Sequence, residues 1–112
     1  MIKRTIKIPM GAPIGPEQKP IYGYLEIEAY CQDGLAVHKA LKGSKWKWMI
    51  TQESSGRKLE RIGAMTKARA IENMRLALAL PFNWKLPEKE TLDALRQSRG
   101  IIDAISNIGM RA

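Results

Sequence analysis

The middle of the chain concentrates basic side chains. Residues 34–75 hold ten Lys and Arg residues against three Glu, in a chain of 112 residues with a formal net charge of +8. Basic side chains beside phosphates release the counterions condensed on a nucleic acid, whereas a surface that only needs solubility normally mixes both signs. The block therefore predicts nucleic-acid binding, and duplex DNA is the favoured class of nucleic acid. The alternative is that these lysines only solvate one face of a sheet.

The predicted contacts with DNA are of two kinds. Basic side chains would bind phosphates, and two further polar side chains would meet base edges in the major groove. Trp46 and Trp48 could stack on unpaired bases, but their alternation with Ile50 favours a place in the core. The predicted nucleic-acid-binding residues are His38, Lys42, Lys45, Lys47, Thr51, Arg57, Lys58 and Arg61.

An acidic protein surface is the second class of partner that fits this charge. The chain would then be a small phage-type inhibitor or adaptor that binds an acidic or nucleic-acid-binding surface of a host protein, for example a defence nuclease. Binding that falls steeply with salt would favour nucleic acid, and a stoichiometric complex that persists in high salt would favour a protein.

Catalytic chemistry is not predicted. The sequence has one histidine and one cysteine. His38 and Cys31 are expected on opposite strand faces, which would prevent a nucleophilic Cys–His pair. Two soft ligands are too few for a structural zinc site, and the glycines at 11 and 15 lack the Gly-Lys-Ser/Thr ending of a phosphate-binding loop. We therefore expect no enzyme activity, no cofactor and no metal.

The elements that position these residues begin with strands. Residues 2–8 alternate isoleucine or arginine with polar residues, which predicts a short edge strand, and the Pro- and Gly-rich residues 9–16 predict a loop. Residues 21–31 predict a longer strand whose odd positions are apolar. A three-residue loop over residues 32–34 would pair Cys31 with Leu35 and keep apolar residues on one face, so we favour it over a two-residue turn.

A second hairpin follows, with Gly43 and Ser44 in the turn. This turn pairs Lys39 with Trp48 and Val37 with Ile50, and a short strand is predicted over residues 57–62. The predicted inner face consists of Leu35, Val37, Leu41, Trp46, Trp48 and Ile50. The predicted outer face consists of His38, Ala40, Lys42, Lys45, Lys47, Met49 and Thr51. Glu28 is expected opposite His38, where its carboxylate would favour a charged imidazole.

Two helices are predicted behind the sheet. Thr66 would cap the first, which runs to about Leu80, and Pro87 lies near the start of the second. The expected buried stripe of the first helix contains Ala68, Ile71, Met74 or Arg75, and Leu78, with Asn73 on the solvent side. The second helix has its stripe at Leu92, Leu95, Ile102 and Ile105, while Gly100 breaks or kinks it and Ile101 and Ile108 fall outside. This broad apolar belt fits either core packing or a homodimer seam.

Three short motifs have an order and spacing similar to those of a known protein family. The chain contains KWKWMIT from Lys45, SGRK from Ser55 and TKARAI from Thr66. This pattern resembles the amino-terminal arm-site-binding domains of phage and transposon integrases, over residues 35–80. The resemblance implies a three-stranded sheet and a helix, with the sheet in the DNA major groove. The size also looks like that of small phage- or plasmid-encoded accessory proteins.

The length and composition set the class of the molecule. We expect a single α+β domain over residues 1–112, strand-rich over 1–62 and helical over 63–112, in which one helix packs on an antiparallel sheet of four to five strands and a second helix is C-terminal. The longest apolar run, at residues 76–82, is too short to span a bilayer, so no membrane partner is predicted. A single cysteine fits the reducing cytoplasm.

Overall fold

Four antiparallel strands occupy the first half of the chain in the computed structural model, which describes residues 1–12, 21–40 and 44–110. They lie in one sheet in the order β1-β2-β3-β4, and helices follow them, so the predicted α+β class is confirmed. The strands are β1 (Ile2–Ala12), β2 (Ile21–Gln32), β3 (Leu35–Lys39) and β4 (Trp48–Gln52). The helices are a 3₁₀ helix (Glu60–Ile62), α1 (Lys67–Leu78), α2 (Glu88–Gln97) and α3 (Arg99–Met110).

The first strand is longer than the sequence predicts. β1 pairs with β2 from Ile2 opposite Cys31 to Ala12 opposite Ile21, so the part of the predicted loop at residues 9–12 is strand. Proline is tolerated there because β1 is an edge strand and one side of its backbone has no ladder to maintain. The rest of the predicted loop, residues 13–16, lies outside the described residues.

The turn between β2 and β3 has two residues, not three. Asp33 and Gly34 have φ angles of 48° and 96°, the pattern of a type I′ turn, which matches the twist of the flanking strands. Tyr30 therefore pairs with Val37, and Cys31 pairs with Ala36 instead of Leu35. The predicted three-residue loop is wrong because the turn geometry outweighs the tendency to collect apolar residues on one face.

This change of register exchanges the faces of β2. A shift of one residue sends every side chain to the opposite face, and the apolar side of β2 now lies away from α1. Ala29, Cys31 and Ala36 form a small core there, against which Ile6 packs. The main core lies on the other face, between the sheet and the helices. It contains Leu35, Val37, Ile50, Ile62, Ala64, Ala70, Met74, Ala77, Trp84, Ile101, Ile105 and Ile108.

Helix α1 begins where the sequence predicts. The Thr66 hydroxyl accepts a hydrogen bond from the Arg69 backbone N–H at 3.3 Å. The buried stripe differs from the expected one, since Ala68 is exposed and Ala70 is buried. Asn73, expected in solvent, is buried because its side-chain amide donates to the Ile62 carbonyl at 3.0 Å.

The C-terminal segment forms two helices, separated at Ser98, where φ is −122° and ψ is 72°. Because of this break, Ile101 and Ile108 face the core with Ile105, while Ile102 is 39% exposed. The predicted stripe is wrong at these positions because the helix is broken at Ser98 and not at Gly100. Much of the apolar side of α3 is thus used within the protomer, and the homodimer seam stays a prediction.

The predicted strand at residues 57–62 is reduced to a single bridge. Lys58 pairs with Thr51 of β4, and the chain then enters the 3₁₀ helix before a second bridge joins Ala64 to Trp48. Among the described residues, no helix has the length and apolar character needed to cross a membrane.

Candidate nucleic-acid interface

One end of the sheet carries a group of exposed lysines. Lys39 ends β3 opposite Trp48, and the Ala40 N–H donates to the Lys47 carbonyl at 2.9 Å, so these backbones run side by side. The side chains of Lys39, Lys45 and Lys47 are exposed. We call these three residues the lysine end. The predicted contact Lys42, like the predicted Gly43 turn and Leu41, lies outside the described residues.

The other predicted basic contacts do not join the lysine end as one row. Arg57 Nε lies 3.5 Å from the Glu88 carboxylate of α2, and Arg61 donates to the Ser106 hydroxyl of α3 at 2.5 Å. Lys58 is exposed beside β4. The sequence prediction of one basic strand fails here because the 3₁₀ helix turns residues 60–62 toward the C-terminal helices.

Four cations of the described residues form ion pairs with carboxylates, and none of the four belongs to the lysine end. In the described part of the chain, Lys39, Lys45, Lys47 and Lys58 have no carboxylate oxygen within 4.0 Å. The observed pairs are Lys3–Glu28 at 3.4 Å, Arg4–Glu53, Arg57–Glu88 at 3.5 Å and Lys85–Asp33 at 3.8 Å. The lysine end therefore keeps its full positive charge.

Helix α1 begins beside the lysine end. The backbones of Ala64 and Trp48 exchange two hydrogen bonds, and Ala64 lies two residues before the cap at Thr66. The first turn of α1 contains Lys67 and Arg69 but no acidic residue, although the amino end of a helix already carries partial positive charge. Neither cation is among the nucleic-acid-binding residues that the sequence predicts. The signal that could have identified them is the absence of acids from that first turn.

Two aromatic rings accompany these cations. Lys45 Nζ lies 5.0 Å from the centre of the Trp46 ring, and Lys67 Nζ lies 3.7 Å from that of Tyr30. The nearby Lys67 ammonium lowers the pKa of Tyr30. Trp48 packs half-buried against the main core, as its alternation with Ile50 predicts.

His38 and Thr51, predicted to meet base edges, are both 1% exposed, and that prediction is wrong. His38 Nδ1 lies 2.8 Å from the Lys39 carbonyl, so Nδ1 must donate, and Nε2 accepts from the Thr51 hydroxyl at 2.6 Å. Burial lowers the pKa of His38, and the Lys58 ammonium adds to this effect. The expected charged imidazole opposite Glu28 does not form, because the observed register puts Glu28 on the other face, beside Lys3.

The prediction that Cys31 and His38 lie on opposite strand faces, which was to prevent a Cys–His pair, is also wrong. Cys31 pairs with Ala36, which puts Cys31 and His38 on the same face. The thiol is buried, however, and burial raises its pKa, which disfavours the nucleophilic thiolate. Across the described ranges, no three His, Cys, Asp or Glu side chains come together to hold a metal ion. The absence of enzyme activity stays a prediction.

Comparison with known protein families, with characterised proteins and with solved structures finds no match to this chain. The resemblance to integrase arm-site domains therefore stays a prediction. The basic strand that this resemblance requires at residues 57–62 is a bridge and a 3₁₀ helix.

Proposed function

We propose that this chain is a non-catalytic accessory protein that binds duplex DNA through the lysine end and the first turn of α1. The observation that carries the proposal is that the exposed side chains of Lys39, Lys45 and Lys47 lie together at one end of the sheet and, among the described residues, have no carboxylate partner. Unpaired ammonium groups gathered at one end of a protein are suited to neutralising phosphates.

The proposed contact is with the phosphate backbone and not with bases. Helix α1 covers one face of β3 and β4, and His38 and Thr51 are buried on the other, so these two strands offer no polar face to a major groove. Phosphate contacts position a protein on DNA but carry no sequence information. We therefore expect similar affinity for duplexes of unrelated sequence.

The test is a double charge reversal, Lys45→Glu with Lys47→Glu. Binding to a fluorescent 20-base-pair duplex is measured by anisotropy at several salt concentrations. We expect affinity to fall about ten- to hundredfold near 0.1 M salt and the slope of log K against log salt to flatten by about 2, because each lost phosphate contact removes roughly one unit.

The matched control is Lys85→Glu with Lys89→Glu. Both residues are exposed and distant in sequence from the lysine end, and the formal net charge of +8 falls by the same four units. This variant should retain most of the binding and its salt slope. Equal losses in the two variants would mean that net charge alone attracts DNA, and the proposed interface would be rejected.

A protein partner is the second candidate, and the burial of both faces of β3 and β4 favours it. A surface that cannot enter a groove suits an acidic protein surface as well as a phosphate backbone. In this role the chain would act as a small inhibitor or adaptor. A stoichiometric complex with a protein that survives 0.5 M salt, together with absence of DNA binding by the wild type, would support this candidate over the first.

A further inference from the structure

A cleft of about 430 Å³ lies between the segment after β4 and helix α2, and none of its described lining residues belongs to the lysine end. Its size is within the range of ligand-binding pockets. One wall is formed by residues 56–59 and the other by α2. The lining residues that the argument uses are Arg57, Lys58, Leu59, Trp84, Leu92 and Leu95.

The interior of this cleft behaves as apolar surface. Gln52 and Thr91 also line it, but their polar atoms are engaged within the protein. The Gln52 amide donates to the Trp84 carbonyl and the Thr91 hydroxyl, both at 2.9 Å, and accepts from Ser55 at 2.7 Å. An occupant therefore meets mainly the hydrocarbon of Leu59, Trp84 and the two leucines of α2.

The wall at Lys58 also presents unused backbone groups. Gln52 donates to the Arg57 carbonyl at 2.9 Å, and Leu59 donates to the Ile50 carbonyl at 2.8 Å. In antiparallel pairing the residue between two such bonds points its N–H and C=O away from the partner strand. Within the described part of the chain, the N–H and C=O of Lys58 have no hydrogen-bond partner. They form a short open sheet edge that borders the cleft.

The charged residues that line the cleft are both basic. Lys58 has no carboxylate partner among the described residues, and Arg57 shares only a half-exposed pair with Glu88 at 3.5 Å. Exposed pairs of this kind contribute little and exchange readily with a competing carboxylate. The rim therefore favours an anionic occupant over a cationic one.

From these three features we propose that the cleft binds an extended acidic peptide segment of a partner protein by strand addition at Lys58. The peptide backbone pairs with the Lys58 N–H and C=O, an apolar side chain enters between Leu92 and Trp84, and neighbouring carboxylates contact Arg57 and Lys58. Main-chain bonds with pockets for alternate side chains are a common mode of peptide recognition. This goes beyond the proposed DNA contact and uses different residues from the lysine end.

The experiment uses an acetylated, amidated hexapeptide in which leucine alternates with glutamate, titrated into the full chain by calorimetry. We expect saturable binding. We also expect affinity about tenfold lower when lysine replaces glutamate, and several-fold lower when the central residues are N-methylated, since methylation removes the donor to the Lys58 carbonyl.

Two variants and one control test the location. Leu92→Lys should abolish binding, and Lys58→Glu should weaken the glutamate peptide while strengthening the lysine peptide. Lys89→Glu lies on α2 outside the cleft lining, carries the same charge change as Lys58→Glu and should bind as the wild type does. Circular dichroism confirms that each variant is folded.

No binding at millimolar peptide, equal binding of the two charge forms or of the N-methylated peptide, or unchanged binding by a folded Leu92→Lys would each overturn the proposal. DNA affinity measured in parallel depends on Lys45 and Lys47. Failure of the peptide site and failure of the DNA site are therefore distinguishable.

Discussion

The two faces of β3 and β4 are buried in different ways. The face toward α1 carries the large apolar side chains of Leu35, Val37 and Ile50, and helices cover it. On the opposite face, Arg4 of the first strand binds Glu53 just beyond the last strand, beside a cavity of about 250 Å³. Burial of this second face results from the approach of the two edge strands, β1 and β4, and not from a packed helix. We call it the curved face, because the sheet must curve to bring these edges together.

Polar residues are buried on both faces but find their partners differently: on the helix side, Asn73 donates to the Ile62 carbonyl and Gln52 to the Trp84 carbonyl. A face covered by a helix excludes water with apolar contacts, and each polar group placed there would need its own partner. On the curved face, polar side chains of neighbouring strands lie side by side, and His38 of β3 accepts a hydrogen bond from Thr51 of β4. Glu53 has one carboxylate oxygen that is buried without a partner among the described residues. We therefore expect the curved face to contribute less to stability than the helix-covered face.

The largest expected effect is on the helix-covered face. Ile50→Ala removes a fully buried side chain from the main core and should lower the free energy of unfolding by about 3 kcal/mol. Cys31→Ala on the curved face removes only a thiol and should cost about a third as much. Urea unfolding followed by circular dichroism measures both, and equal losses would show that the two faces contribute alike.

An intermediate effect is expected at the link across the curved face. Arg4→Met leaves the Glu53 carboxylate without its cation and should lower the urea midpoint, though by less than Ile50→Ala does. Adding Glu53→Gln should recover part of the loss, because the remaining group is neutral. If the double variant is less stable than Arg4→Met alone, the pair does not link the two edges.

The smallest effect is the pH dependence from His38. Its pKa is lowered in the folded state by burial, so the unfolded chain binds the proton more readily. The stabilisation is fully present above the unfolded pKa of about 6.5 and is lost as pH falls through the folded value. The urea midpoint should therefore decrease between pH 7 and pH 5 more steeply in the wild type than in His38→Gln. Identical slopes would mean that His38 titrates equally in both states.

Local patterns predicted the elements well where the determinants were local. Thr66 caps α1 because a hydroxyl before a run of helix-forming residues has the N–H of Arg69 within reach. In the second hairpin, the pairing of Val37 with Ile50 is as predicted, since both strands alternate in the same phase. Asp33-Gly34 is itself a typical sequence for a two-residue type I′ turn. The three-residue loop is favoured only if collecting apolar side chains on one face outweighs this turn preference, and in the structure it does not.

The candidate site was predicted in part. Exposure of Lys45 and Lys47 follows from their alternation with two tryptophans, and it is observed. Burial of His38 and Thr51 was missed because alternation places them opposite the main core without saying whether that face meets solvent. Arg61 was assigned to a strand, and its turn toward α3 depends on a 3₁₀ helix that has no clear periodic signal.

The chain's own chemistry determined its positive charge, the order of its strands and helices, and the positions of its caps, because these depend on residue type and near neighbours. Only the folded arrangement decided which lysines stay free of carboxylates and which polar groups are enclosed. Those outcomes depend on groups far apart in sequence, such as Arg4 and Glu53, whose proximity arises only when the sheet curves.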